Sequence, residues 1–190
     1  MTKFSSLVVV LVAAMALAGC VMQGMDGGDE ASVGNGVRVT AEPGFAQIHI
    51  ATMRYWTRNG TGLDELHFHT GIKSGQPLFR PAGKRPIDMA AFNARMTPND
   101  IEDLTVASLQ KNGFQHVRAI ALRPCPFGSA SGFCFDLLLA NDEGLEMRGR
   151  ALATSRGEVL DLLVFTAPAE HYFAQVSPAI DRIFASVRLK

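Results

Sequence analysis

Net charge is the first thing this chain of 190 residues lacks, because 18 lysines and arginines stand against 18 aspartates and glutamates. Without a basic excess there is no general pull on nucleic acid, whose binding rests on neutralising phosphates. Apolar runs of spanning length are missing too. Leu7 to Ala18 is uncharged, but it is about a dozen residues against the roughly 20 that a membrane-crossing helix needs. Cysteine is sparse, at three, which excludes a zinc cluster of cysteine pairs, and no redox Cys-x-x-Cys is present. No phosphate-cradling glycine loop, calcium loop or internal repeat occurs. These gaps remove the usual cofactor-bearing classes, and no cofactor is expected.

What is present begins at the first residues. Lys3 opens the chain with a positive charge, and the apolar run follows it, as in the core of a secretory signal. Leu17, Ala18, Gly19 and Cys20 then resemble the lipobox of bacterial lipoproteins. That resemblance implies a lipid on the Cys20 sulfur and cleavage just before it, making residues 1–19 a signal peptide. A plain secretory signal or an uncleaved anchor is the alternative. Two or three acyl chains on one cysteine imply lasting membrane attachment, since each buried methylene contributes about 0.8 kcal/mol. The next residue is Val21 rather than an aspartate. By analogy with sorting rules this favours the periplasmic face of the outer membrane.

Residues 20–36 follow as a lipidated cysteine and a tether. Gln23 to Gly36 has no apolar periodicity and is rich in glycine, aspartate and serine, so it reads as flexible. Residues 37–190 are then one domain, long enough for a real core. Cys125 and Cys134 remain as an even pair in an oxidising compartment. They flank the loop from Pro126 to Phe133, and a hairpin there brings its ends to disulfide distance. Two free thiols, or a metal pair short of other ligands, are the alternatives.

Gln47 to Arg58 reads as extended, with Asn59-Gly60 as a turn. Leu63 to Ile72 alternates Leu66 and Phe68 against His67 and His69, the pattern of a half-buried strand. Thr97, Pro98 and Asp100 together start a helix: a cap, a first-turn proline and an acid near exposed N–H groups. That helix should end near Asn112, with Gly113 as its left-handed stop. Strands are expected at Val117–Arg123, Phe133–Ala140, Leu145–Thr154 and Val159–Thr166, forming a meander. Phe133, Phe135, Leu137 and Leu139 share one face, with Cys134 and Asp136 opposite. From Ala167 onward, Phe173, Val176, Ile180, Ile183, Phe184 and Val187 make an apolar helical stripe. Pro178 predicts a kink, or a restart capped by Ser177. The class is α+β, an antiparallel meander sheet packed by two helices.

Five pieces resemble a family of uncharacterised proteobacterial lipoproteins. They are Trp56-Thr57-Arg58-Asn59-Gly60, Gly75-Gln76-Pro77-Leu78-Phe79, Met96-Thr97-Pro98, the run from Pro124 to Asp136, and Ala167-Pro168 with His171-Tyr172-Phe173. Cys125 and Cys134 depart from that family's pattern. The meander closed by a C-terminal helix also resembles the PsbP-like fold, an α/β/α sandwich shared by an extrinsic photosystem subunit and a Ran-binding import factor. The resemblance implies a binding or assembly module rather than an enzyme, with an envelope protein as partner.

The candidate chemistry is thin. His67 and His69 share a strand face and His49 alternates outward on the expected neighbour, so a transition-metal site is one reading. Solvent-facing polar positions are the plainer one. Gly128-Ser129-Ala130-Ser131-Gly132 has alanine where a nucleophile elbow needs its nucleophile, so no catalytic residue is assigned. Asp136, Arg148, Arg150 and Asp161 read as cross-strand charge pairs. Arg80, Lys84 and Arg85 form a basic loop suited to headgroups or an acidic partner. Three roles follow: a protein-binding module on a membrane anchor, a small-molecule or lipid-binding module, and a hydrolase.

Overall fold

A computed structural model of the chain describes residues 21–50, 53–79 and 88–190. The signal segment, Cys20, Arg80, Lys84 and Arg85 lie outside the described residues.

Among those residues a long antiparallel sheet forms the middle layer. Its strands are β1 (Val21–Gly24), β4 (Ala46–Ile50), β5 (Met53–Thr57), β6 (Glu65–Lys73), β7 (Gln115–Phe127), β8 (Ala130–Ala140), β9 (Glu146–Arg156) and β10 (Val159–Pro168). They stand in the order β1-β4-β5-β6-β10-β9-β8-β7. The expected meander is therefore present, with β10 at its inner end and buried on both faces, as its unbroken apolar run requires. A second sheet of three strands orders as β11-β3-β2, from β2 (Glu30–Gly34), β3 (Val37–Thr40) and β11 (Arg188–Leu189).

Each face of the long sheet carries its own core. One face meets helix α1 (Pro98–Lys111) through Phe133, Phe135, Leu137, Leu139, Leu160, Leu162 and Val164. The other meets helix α2 (Tyr172–Ala185) and the small sheet through Trp56, Leu66, Phe127, Leu163 and Phe165. Period-two alternation assigns side chains to faces, so Cys134 lies in the second core while Phe133 and Phe135 lie in the first. The result is an α/β/α sandwich in which each fully buried aliphatic or aromatic side chain contributes about 1.5–3 kcal/mol.

The start of α1 forms as its sequence predicts. Asp100 N–H donates to the Thr97 hydroxyl, and the Asp100 carboxylate accepts from Thr97 N–H at 2.8 Å, closing a capping box. Gly113 takes φ +100° just past the helix, the left-handed stop that glycine permits. Near β5, the buried Asp64 accepts from Arg58 and Asn59 N–H groups, both at 2.7 Å, and from the Thr57 hydroxyl. One carboxylate thus holds the Asn59-Gly60 turn.

Four expectations are corrected. Residues 23–36 are not slack, because β1 pairs with β4, β2 pairs with β3, and Val33 is buried; the ordered domain extends back to Val21. These short strands take their stability from distant partners, which local composition does not register. Gln47–Arg58 is not one strand but the consecutive antiparallel pair β4 and β5. α2 starts at Tyr172, after Ala167 and Pro168 have ended β10, with an exposed His171 at its cap position. It runs through Pro178 without a restart, and Ser177 is buried in it rather than capping it.

Candidate functional site

The alternation along β6 sets up the site. Leu66 and Phe68 turn toward α2, which leaves Glu65, His67 and His69 on the α1 face. In register, Glu65 lies opposite Thr166, His67 opposite Val164 and His69 opposite Leu162 on β10. The neighbouring β5 puts Tyr55 opposite His67. An aromatic row results. Tyr55 and His67 stack at 5.0 Å, His67 and His69 lie nearly parallel at 5.9 Å, and His69 meets the Phe79 ring at 4.5 Å.

This row floors a half-open cleft of about 650 Å3 beneath the end of α1. Leu109, Asn112 and Phe114 overhang it, and Leu78 and Phe79 close one side. An adjoining hollow of about 300 Å3 shares Glu65, Asn112, Phe114 and Thr166, and reaches Asn141 and Asp142. Asn112 is fixed by donating to the Ser108 carbonyl at 2.9 Å. The cleft is therefore apolar along β10 and the helix, with a polar margin.

Glu65 and His67 are paired with each other, while exposed Arg54, which also lines the cleft, donates to the Ser32 carbonyl at 3.4 Å. Glu65 bonds His67 Nε2 at 2.8 Å and accepts from Gly62 N–H at 3.0 Å. Burial would raise the Glu65 carboxyl, but the hydrogen bond and charge of His67 and the Gly62 N–H outweigh it and hold it below the usual range. His69 goes the other way for a base. Burial lowers its pKa to about 3, with nearby His67 adding to the shift, so the ring is neutral at physiological pH.

The three histidines are not brought together. β5 lies between β4 and β6, and Gln47, Trp56 and Leu66 line one row while Ile48, Tyr55 and His67 line the next. His49 therefore faces the opposite side of the sheet from His67 and His69, exposed and hydrogen-bonded to Gln47. Among the described residues no three His, Cys, Asp or Glu side chains are grouped to hold a metal. His67 pairs with Glu65 and His49 with Gln47, so neither ring engages a serine or cysteine.

Cys125 and Cys134 form the expected disulfide, with Cα atoms 5.6 Å apart on β7 and β8. Asp136 does meet Arg150, at 3.7 Å, and also Arg123 at 3.6 Å, while Asp181 of α2 completes the cluster from the other side of Arg150. Arg148 departs from the expected pairing and lies over the Phe173 ring at 4.7 Å. Asp161 stands apart, bonded to Arg156. Ser129 and Ser131 belong to the β7–β8 turn and its flank, not to a strand-to-helix elbow.

Compared with known proteins, the chain matches no family model and no curated sequence. It does match a solved structure. The solution structure of cyanobacterial PsbP (CyanoP) from Synechocystis sp. PCC 6803 superposes with a TM-score of 0.53, covering 93% of this chain and 96% of that one. The fold is PsbP-like. Identity is 11%, so the likeness is one of architecture, and the PsbP-like frame says where the layers sit rather than what the cleft holds. Leu109, Asn112 and Phe114 were not singled out by sequence. Their only signal was position at a helix end that the fold happens to lay over β6.

Proposed function

We propose that this chain is a lipid-anchored protein of a bacterial envelope, held through Cys20 at the periplasmic face of the outer membrane. Its PsbP-like domain serves as a non-enzymatic module that binds a protein partner. The cleft over β6 carries the reading. It offers an apolar floor, a polar margin of Asn112, Gln76 and Thr166, and acid and base groups already paired with each other. A partner segment gains there by burying an apolar side chain beside an acid–base pair that is already satisfied, with exposed Arg54 at the margin for an acidic neighbour. The lipobox-like Leu17-Ala18-Gly19-Cys20 supports the anchor and Val21 the choice of the outer membrane.

The test is photo-crosslinking in cells from a reactive amino acid placed at Gln76 or Asn112. A discrete adduct that disappears when the probe moves to exposed Gln175, on α2 at the opposite face of the sheet, is expected. Recovery of the monomer alone from both cleft positions, at native expression, would sink the proposal.

The volume of the cleft also favours a second reading, a small amphiphile, since ligand pockets run from about 300 to 1,000 Å3. Native mass spectrometry of protein taken from membranes separates the two. A stoichiometric small adduct supports the second reading, and a bare chain that still crosslinks to a protein supports the first.

A further inference from the structure

We propose that the anchor has no slack, so that the sheet edge formed by the start of β1 and the end of β4 rests in the headgroup layer of the bilayer. This rests on lipidation of Cys20, and adds a geometric observation independent of it. Val21, the residue bonded to Cys20, is already a strand residue paired with His49.

The distances leave little choice. Adjacent Cα atoms are about 3.8 Å apart, and paired strands run about 5 Å apart. The headgroup region on each side of the hydrocarbon is about 5–8 Å deep. A glycerolipid on the Cys20 sulfur sets that residue at the floor of this region. Val21 and its partner His49 are then within it or at its surface.

Nor does the chain beyond β1 lend length. All four β1 residues pair with β4. Met25 N–H then donates to the Phe45 carbonyl at 3.0 Å, Gly28 N–H to Ala41 at 2.9 Å, and Ala41 N–H returns to Asp29 at 2.8 Å. Directly after this, β2 enters the small sheet. Lifting the domain off the membrane by each further residue breaks another of these bonds.

The side chains at this end fit a phospholipid surface. His49 and Arg54 stand opposite each other and are exposed. β6 runs parallel in direction to β4, since both oppose β5, so exposed Lys73 at its end points the same way. Asp142 and Glu143 occupy the turn between β8 and β9, at the opposite end of the sheet. Arg54 and Lys73 therefore lie toward the bilayer phosphates, with exposed Glu158 of the β9–β10 turn beside Lys73, and Asp142 and Glu143 lie away from them.

The experiment uses the full lipidated protein, with its disulfide intact, in vesicles of phosphatidylethanolamine and phosphatidylglycerol carrying headgroup-attached nitroxide lipids. A fluorophore is placed on His49→Cys or on Asp142→Cys. Mass analysis of the N-terminal peptide comes first, and an unmodified Cys20 overturns both the anchor and this inference. With the lipid present, quenching several-fold stronger at position 49 than at 142 is expected. Equal weak quenching at both overturns the absence of slack while leaving the anchor standing. Inserting about 15 glycine and serine residues between Cys20 and Val21, enough for a coil of about 20 Å, should reduce the signal at 49 to that at 142. Quenching unchanged by the insertion would also overturn the inference.

Discussion

The side-chain amide of Asn35 donates to the carboxylate of Asp161 across 2.9 Å, joining the small sheet to the buried heart of the large one. The same carboxylate accepts from Gly71 N–H at 2.8 Å and from Arg156 at 2.7 Å. Asn35 holds φ 48° in the β2–β3 turn, a conformation asparagine tolerates better than most residues. Three chain segments thus converge on one fully buried acid.

Removing that acid should loosen all three. Asp161→Ala leaves the Gly71 N–H and the Arg156 guanidinium without their acceptor, at a cost of about 2–4 kcal/mol. Arg156 is partly exposed, which keeps the figure below that for a wholly buried pair. A urea unfolding curve checks it. A midpoint equal to that of the parent protein would refute the role assigned to Asp161.

The disulfide closes a separation of nine residues between the two longest neighbouring strands of the meander. In the chain-entropy account, opening it costs about 2–3 kcal/mol. The double variant Cys125→Ala and Cys134→Ala should lose about that much stability, and mild reduction of the parent protein should match it. A parent protein indifferent to reductant would contradict the expectation.

Gly149 sits where β9 is squeezed between its neighbours. A Cβ there would stand 2.6 Å from the Phe165 carbonyl oxygen and 3.2 Å from Leu137 Cβ. Gly149→Ala should therefore destabilise by about 1–3 kcal/mol through overpacking. Gly24→Ala, which meets nothing within 4 Å, should change stability by no more than about 0.5 kcal/mol. Thermal melts of the pair decide the matter, and equal shifts would refute the packing argument.

His69 makes stability depend on pH. Its pKa in the folded chain is about 3, against about 6.5 when exposed. Between those values the unfolded chain takes up a proton that the folded chain refuses. Stability from this group is therefore full above pH 6.5 and falls as the pH drops toward 3. His69→Gln should flatten that part of the stability profile. A variant with the parent slope would show that other groups set it.

How far these features could be read in advance depended on how local their causes are. The Thr97-Pro98-Asp100 start, the meander and the Cys125–Cys134 pair each rest on signals a few residues apart and stand in the structure. The exception is that β7 and β8 continue through most of the expected Pro126–Phe133 loop and leave only a tight turn at Gly128-Ser129. The break between β4 and β5 carries no glycine or proline, so Gln47–Arg58 reads as continuous. Strands β2 and β3 are short and glycine-punctuated, and their stability comes from α2 and from β11 near the other end of the chain. The alternation of His67 and His69 was legible, but which face His49 takes depends on the strand inserted between them. The cleft was hidden for the same reason. It exists only where α1 ends above β6.

The small sheet also has a consequence for how the protein comes into being. Thr40 N–H bonds to the Ser186 hydroxyl, 146 residues further along, and β3 waits for β11 to complete its pairing. Closing so long a loop is a late event, because its entropy must be met before any contact rewards it. During folding, then, β3 waits with one flank unpaired until residues 188–189 arrive. Until that moment the valines of β2 and β3 that the fold buries are exposed, which makes this the interval in which the chain is open to edge-to-edge association.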